Sequence, residues 1–199
     1  AGNIVTYPSK VYLNNIVDEI LPVITNVTLT PATWTNTAEV TLVIEATDNV
    51  EIAEYSFDAG TSWQEENYQN YNELVTIPIG ALQVKDTSGN ITSYEEEIII
   101  KIDRLAPTAP IITPVEEELN TFKVAHGLDL ESGVDKTEYY IVNNIDNGNW
   151  TIVISADEKI IIGGKETMVA RTVDKAGNVS EIIYAFGNEI SLPSHNGEN

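Results

Sequence analysis

Cysteine is absent from the 199 residues, and with it go disulfide bridges, thiol catalysis and thiolate zinc sites. Positive charge is scarce: ten Lys and Arg stand against 31 Asp and Glu, a formal net charge of −21. That balance excludes a nucleic-acid binder working through a basic face, because phosphate neutralisation needs Lys and Arg. It equally opposes attraction to an anionic membrane surface. No run approaches the ~18 apolar residues of a spanning helix, so no membrane insertion is expected in this segment. Ala1-Gly2-Asn3 brings neither a basic region nor an apolar signal core, and the chain reads as a mature or excised segment. What is present suffices for a core: 42% hydrophobic residues with nine Tyr and three Trp are too apolar for a disordered acidic tail. The length allows one large domain or two of about 100 residues.

The sequence repeats. Gly-Asn turns recur at Ala1-Gly2-Asn3, Ser88-Gly89-Asn90 and Ala176-Gly177-Asn178, the latter two preceded by Asp86-Thr87 and Asp174-Lys175. Ile16-Val17-Asp18-Glu19-Ile20-Leu21-Pro22 aligns with Ile102-Asp103-Arg104-Leu105-Ala106-Pro107, pairing Asp18 with Asp103 and Pro22 with Pro107. Ala46-Thr47-Asp48 matches Gly127-Leu128-Asp129, each followed by a Tyr-containing strand and then by Trp63 or Trp150. A period of about 86 residues makes the unit a small domain. Residues 1–19 then read as the last strand and linker of a truncated upstream repeat. Domains are expected at 20–104 and 105–190, with 191–199 a polar tail. The acidic excess is shared, with 14 acids and three bases in the first domain and 14 and six in the second.

Each unit reads as β throughout. Val40 to Ala46 is β-branched and roughly alternating, as a half-buried strand should be. Glu54–Phe57, Leu74–Ile79, Ala81–Lys85 and Ile98–Ile102 follow, and the second unit answers with Phe122–Ala125, Glu138–Val142, Trp150–Ile154, Met168–Val173 and Ile182–Phe186. No stretch supports a long amphipathic helix. About seven short strands per unit, punctuated by turn signals, point to a β-sandwich. Asp103 to Pro110 forms a short Pro-rich linker, and Pro22, Pro107 and Pro110 sit where each unit begins. Such a linker favours semi-rigid spacing.

Trp34-Thr35-Asn36, Ala46-Thr47-Asp48, Tyr55-Ser56-Phe57-Asp58-Ala59-Gly60 through Trp63, Asp174-Lys175-Ala176-Gly177-Asn178 and the linker Ile102 to Pro107 carry a resemblance. In this order, and largely twice, they resemble the tandem bacterial immunoglobulin-like repeats of secreted and cell-wall surface proteins. The second unit departs by having Glu116-Glu117-Glu118-Leu119-Asn120 in place of the Trp-Thr-Asn element. The resemblance implies an all-β chain of two consecutive immunoglobulin-like β-sandwich domains, located extracellularly or in a bacterial cell wall. It implies a spacer, adhesive or accessory role, with neighbouring repeats and a surface glycan or host protein as partners. Fold alone does not choose among these.

In such a sandwich the loop after the second strand and the loop before the last lie at the end where the chain arrives. Asp129 and Glu131 fall in the first loop, Asp174 in the second, and Asp103 in the arriving linker. Asp48, Asp86 and Asp18, with Glu19 beside it, fall likewise one unit upstream. Carboxylates converging from three segments suit calcium, a hard cation that takes six to eight oxygens. The competing reading makes these aspartates turn formers that accept backbone amide hydrogens. No helix-loop-helix signature is present, and the calcium expectation rests on oxygen-ligand logic.

Catalysis finds little support. His126 ends a strand and His195 lies in the tail, neither with an orienting partner. Glu65-Glu66, Glu95-Glu96-Glu97 and Glu116-Glu117-Glu118 are adjacent runs; strand alternation would send neighbours to opposite faces, as solvated edges rather than an acid/base pair. Gly163-Gly164 has no helix behind it and is expected as a hairpin turn rather than a phosphate loop. Trp63, Tyr68 and Tyr71 are a candidate glycan platform only as exposed aromatics in an open loop, and Trp63 is better suited to the core. A Lys–Asn crosslink through Lys10 or Lys123 has no diagnostic spacing. The expected function is a non-catalytic spacer that presents a terminal domain; the alternative is an accessory, carbohydrate-binding module of a secreted carbohydrate-active enzyme.

Overall fold

A computed structural model describes residues 17–37, 39–143, 146–147 and 149–188. His195, Lys10 and the segments 1–16 and 189–199 lie outside them. Sixteen strands and no helix occur among the described residues. In chain order they are β1 (Val23–Thr30), β2 (Val40–Thr47), β3 (Ile52–Ser56), β4 (Tyr68–Tyr71), β5 (Val75–Ile77), β6 (Gln83–Asp86), β7 (Ile91–Ser93) and β8 (Ile98–Ile100). After the proline-rich segment come β9 (Ile111–Pro114), β10 (Thr121–Ala125), β11 (Val134–Asn143), β12 (Asp146–Asn147), β13 (Thr151–Ile152), β14 (Ile160–Ile161), β15 (Thr167–Asp174) and β16 (Ile183–Phe186). The sheets run β1-β2-β4, β3-β6-β7 and β5-β8, then β9-β10-β14 and β12-β11-β15-β16 with β13 also on β11. The registered pairings in the β3-β6-β7, β5-β8 and later sheets are all antiparallel.

Alternation decides which side chains are buried. Val40, Leu42 and Ile44 on β2 are fully buried while the residues between them are not. In the later sheets Val124, Ile160, Met168, Ala170 and Ala185 form one core cluster with Val153 and Ile162. The chain divides into two compact units, one from the described parts of Ala1–Val27, Val43–Gln69 and Pro78–Glu97, the other from those of Thr28–Leu42, Asn70–Ile77 and Ile98–Asn199.

One pairing feature occurs twice and sets the loops that matter. Asp86, the last residue of β6, stands opposite Ile52, and Asp174, the last of β15, stands opposite Val134. In both ladders the register shifts at the next step, between Ile52 and Glu54 and between Val134 and Lys136. A bulge there ends regular pairing and re-aims the strand. Each aspartate therefore sits where a ladder stops and a loop begins.

Three expectations are corrected. Gly163-Gly164 is not a hairpin turn, because the flanking strands β14 and β15 belong to different sheets and the segment carries the chain from one to the other. The glutamate runs do not lie in strands: Glu65-Glu66 precedes β4, Glu95 to Glu97 links β7 to β8, and Glu116 to Glu118 links β9 to β10, all exposed. Tyr68 to Tyr71 is a strand rather than an open loop.

Candidate metal centres

The segment Asp-x-x-Gly-Asn builds the same turn twice. In the first, the Asp86 amide donates to the Asn90 carbonyl at 3.0 Å and the Gly89 amide to the Asp86 carbonyl at 3.2 Å. In the second, Asp174 donates to Asn178 at 3.1 Å and Gly177 to Asp174 at 3.2 Å. Gly89 and Gly177 have φ of 94° and 93°, a left-handed backbone that a side chain resists. Closing the turn holds the aspartate carboxylate over the loop amides. Asp86 Oδ1 accepts from Ser88 and Asn90 amides at 2.8 Å each, and Asp174 Oδ1 accepts from the Asn178 amide at 2.8 Å.

The asparagine that ends each turn has a second role. Asn90 Nδ2 donates to Asp86 Oδ2 at 2.7 Å and to the Asp18 and Ile20 carbonyls at 3.0 and 3.1 Å. Asn178 Nδ2 donates to Asp174 Oδ2 at 2.7 Å and to the Asp103 carbonyl at 3.0 Å. Both amides thus tie the arriving segment to the turn. The arriving aspartates are themselves Asx turns, with the Ile20 amide on Asp18 Oδ1 at 3.1 Å and the Leu105 amide on Asp103 Oδ1 at 2.9 Å. The third carboxylate comes from the loop before β3 or β11. Asp48 Oδ2 accepts from the Val50 amide at 2.8 Å. Asp129 Oδ2 accepts from the Ser132 hydroxyl at 3.2 Å and from the Gly133 amide.

These turns bring Asp18, Asp48 and Asp86 together, and separately Asp103, Asp129 and Asp174, each set offering one oxygen per residue with all three oxygens within 4.8 Å of one another. Asp86, Asp103 and Asp174 are buried, and the other three half-buried. The turn-former reading is therefore true of part of every carboxylate and incomplete for some. Asp18 Oδ2 and Asp48 Oδ1 are buried and have no hydrogen-bond partner. Orphaned anionic oxygens facing a third carboxylate are costly unless a cation meets them.

The second centre has a different composition. Glu131 stands where the first has Val50, two residues after the loop aspartate. Burial pushes the Glu131 carboxyl up, and its hydrogen bond to Asp103 and the charges of Asp103 and Asp129 push it further. Asp103 is raised by burial, but hydrogen bonds from Ser132, the Leu105 amide and Glu131 outweigh this and hold it below the usual range. Four carboxyls thus crowd this centre, with Glu131 hydrogen-bonded to Asp103. Asp86 shows the same contest: burial raises it, and the Asn90 side chain with the turn amides hold it low. Sequence reasoning missed the asparagines as site residues because the Gly-Asn turn already explained them. The signal was an aspartate four residues before each.

An all-oxygen set of aspartates with orphaned buried atoms fits a hard divalent cation such as calcium and suits soft metals poorly. Glu19 is exposed beside Asp18. The remaining candidates gather no chemistry. His126 is exposed, its Nδ1 2.9 Å from the Thr137 hydroxyl. Lys123 pairs with Asp157 at 2.8 Å. Trp63 is half-buried over its own turn, donating to the Gly60 carbonyl at 3.1 Å beneath the Lys85 ammonium. Tyr68 and Tyr71, three apart on β4, face opposite sides of their sheet, so the Trp63–Tyr68–Tyr71 platform is not assembled.

No protein-family model matches the chain, and no curated protein does. Among solved structures, the fibronectin(III)-like modules of Clostridium thermocellum CbhA align with TM-score 0.42 at 11% identity, over 87% of this chain and all of that one. A cytokine receptor complex aligns at 0.33 and 12%, over 83% and 98%. Domains 7, 8 and 9 of the S-layer protein SbsC align at 0.27 and 12%, over 89% and 63%. Likenesses at these scores assign neither family nor function. No helix among the described residues is long and apolar enough to cross a membrane.

Proposed function

We propose that the chain is a non-catalytic spacer segment of a bacterial surface or secreted multidomain protein. Its two immunoglobulin-like domains, residues 20–104 and 105–190, carry a terminal adhesive or catalytic domain outward, joined by the short Pro-rich linker. Calcium is the cofactor of this reading. Asp18, Asp48 and Asp86 would hold one ion, and Asp103, Asp129, Asp174 and Glu131 another. Bound there, the ion supplies positive charge that offsets the clustered carboxylates and ties each arriving segment to two loops of its domain. The observation that carries the reading is the pair of orphaned buried oxygens, Asp18 Oδ2 and Asp48 Oδ1, in one of two matching aspartate triads. Neighbouring repeats are the partners this role needs. The recurrence of the same clamp at the start of each repeat supports a positional role.

Trypsin provides the test. Arg104 is exposed and follows the buried Asp103 directly. Saturating calcium should slow cleavage after Arg104 relative to a chelated sample, because local opening there must first release Asp103. The protection should vanish in Asp129→Asn, which also controls for effects of calcium on the protease. Equal cleavage rates with calcium and with chelator in the unsubstituted chain would refute the clamp.

A further inference from the structure

The two repeats hold their arriving aspartates differently. Asp103 is gripped through both of its backbone groups. Its carbonyl accepts from Asn178 Nδ2 at 3.0 Å, and its amide donates to the Thr35 carbonyl at 3.0 Å. The Thr35 amide in turn donates to the Lys101 carbonyl at 3.1 Å, so Thr35 forms an isolated parallel bridge with Ile102. Ile102, at the centre of that bridge, is 2% exposed. All of these residues belong to one compact unit, the one that takes in Thr28–Leu42.

The first repeat has half of this arrangement. The Asp18 carbonyl accepts from Asn90 Nδ2 at 3.0 Å, as the Asp103 carbonyl does from Asn178. Among the described residues no carbonyl receives the Asp18 amide. Val17, which the repeat aligns with Ile102, is 69% exposed. The same apolar position is thus core in one repeat and bare in the other. What differs is the loop: Trp34-Thr35-Asn36 occurs once in the chain, and it is engaged with Asp103.

We propose that Val17, Asp18 and the adjoining turn Thr87-Ser88-Gly89 form a docking surface for the Trp-Thr-Asn loop of an upstream immunoglobulin-like repeat. The proposal rests on the reading of the chain as part of a tandem series and names the surface through which that series is joined. The second repeat supplies the template. Beyond the bridge at Thr35, a Cβ on Gly177 would stand 3.7 Å from Asn36 Nδ2, and Trp34 lines one cleft with Lys175, Ala176 and Gly177. The loop therefore lies along both the arriving segment and the turn. In the first repeat the matching turn residues Thr87, Ser88 and Gly89 are all exposed. Ile20 and Leu21 are exposed too, but so are their counterparts Leu105 and Ala106, which places the covered ground before the aspartate rather than after it. A second copy of this chain does not fit the surface, because both backbone groups of its Thr35 are already bonded within its own chain. Nor does the second repeat carry the loop onward: Glu116-Glu117-Glu118-Leu119-Asn120 stands there instead, between β9 and β10.

The test compares the full chain with an extended one. In the latter a copy of residues 20–101 replaces residues 1–16 and joins Val17, so that Lys101-Val17-Asp18 takes the place of Lys101-Ile102-Asp103. Amide hydrogen exchange is followed in chelator. In the full chain the Asp103 amide should be protected and the Asp18 amide should exchange quickly; in the extended chain exchange at Asp18 should slow at least about tenfold. Thr35→Pro in the added copy removes one amide of the bridge and should reverse the slowing. Val17→Asn gives a second readout, expected to leave the melting midpoint of the full chain unchanged and to lower that of the extended chain. An Asp18 amide equally fast in both chains, slowing that survives Thr35→Pro, or a Val17→Asn effect that is the same in both chains would overturn the proposal. No readout here involves calcium, so a failed docking leaves the trypsin result at Arg104 standing, and a failed clamp leaves the exchange difference standing.

Discussion

Replacing Asn178 by alanine removes one amide that serves two buried acceptors. Asp174, 2% exposed, loses the donor to its Oδ2 at 2.7 Å, and the carbonyl of Asp103, 1% exposed, loses its donor at 3.0 Å. A hydrogen bond to a charged group contributes about 1.5–3 kcal/mol, and a buried acceptor left unsatisfied costs about 1–3 kcal/mol. The same amide serves both, so the terms overlap and the loss is taken as about 3 kcal/mol. In a unit of roughly 100 residues each kcal/mol shifts the midpoint by about 4–8 °C, giving a fall of roughly 12–24 °C. The backbone bond from the Asn178 amide to Asp174 Oδ1 survives the substitution, so the turn itself should persist. Urea unfolding followed by tryptophan fluorescence, in chelator, gives the number directly. A loss below about 0.5 kcal/mol would show that the amide does not hold the arriving segment, and the clamp described for both repeats would fall with it.

Other consequences can be measured with the same protein. Gly127→Ala would place a Cβ 1.9 Å from the Thr108 carbonyl oxygen and 2.8 Å from its carbon, so backbone must move and stability should fall by at least about 2 kcal/mol in denaturant titration; an unchanged midpoint would contradict the close approach. Glu138 is raised by burial but held below its ordinary value by hydrogen bonds and charge from Lys136 and Arg171. Its contribution is present above the unfolded carboxylate value and lost as pH falls through the lower folded one, which places the loss below about pH 4. Glu138→Gln should cost about 2 kcal/mol at neutral pH, the partners being partly exposed, and should flatten the acid limb of midpoint against pH. An acid limb of unchanged steepness would remove Glu138 from the account.

The parts of this fold legible in the sequence are those whose signal is local. Val40 to Ala46 alternates and pairs as it alternates, and Asp86 and Asp174 announce their turns through Gly89 and Gly177. The two triads were legible because the repeat itself aligned Asp18 with Asp103 and Asp48 with Asp129. Elements defined by a distant partner were not. β4 lacks β-branched residues and is a strand through bonds to β2, including Thr41 Oγ1 to Asn70 Oδ1 at 2.8 Å. β1 holds the alternating run Val27-Thr28-Leu29-Thr30 with Val27 and Leu29 half-buried, so its signal was present and the reading passed over it. Gly163-Gly164 looked like a hairpin because the sequence shows a turn between two strands and not which sheets they join.

Thermal unfolding with and without calcium decides whether the six aspartates hold a cation. The full chain is melted with saturating calcium and again with chelator, alongside Asp103→Asn and Asp48→Asn, one substitution in each triad. A cation that binds only the folded state stabilises it by about 2.7 kcal/mol at a hundredfold excess over its dissociation constant. The midpoint should rise with calcium concentration, and each substitution should diminish the rise. Superimposable curves with calcium and with chelator would contradict it, leaving the six aspartates as turn formers and the linker prolines as the source of stiffness.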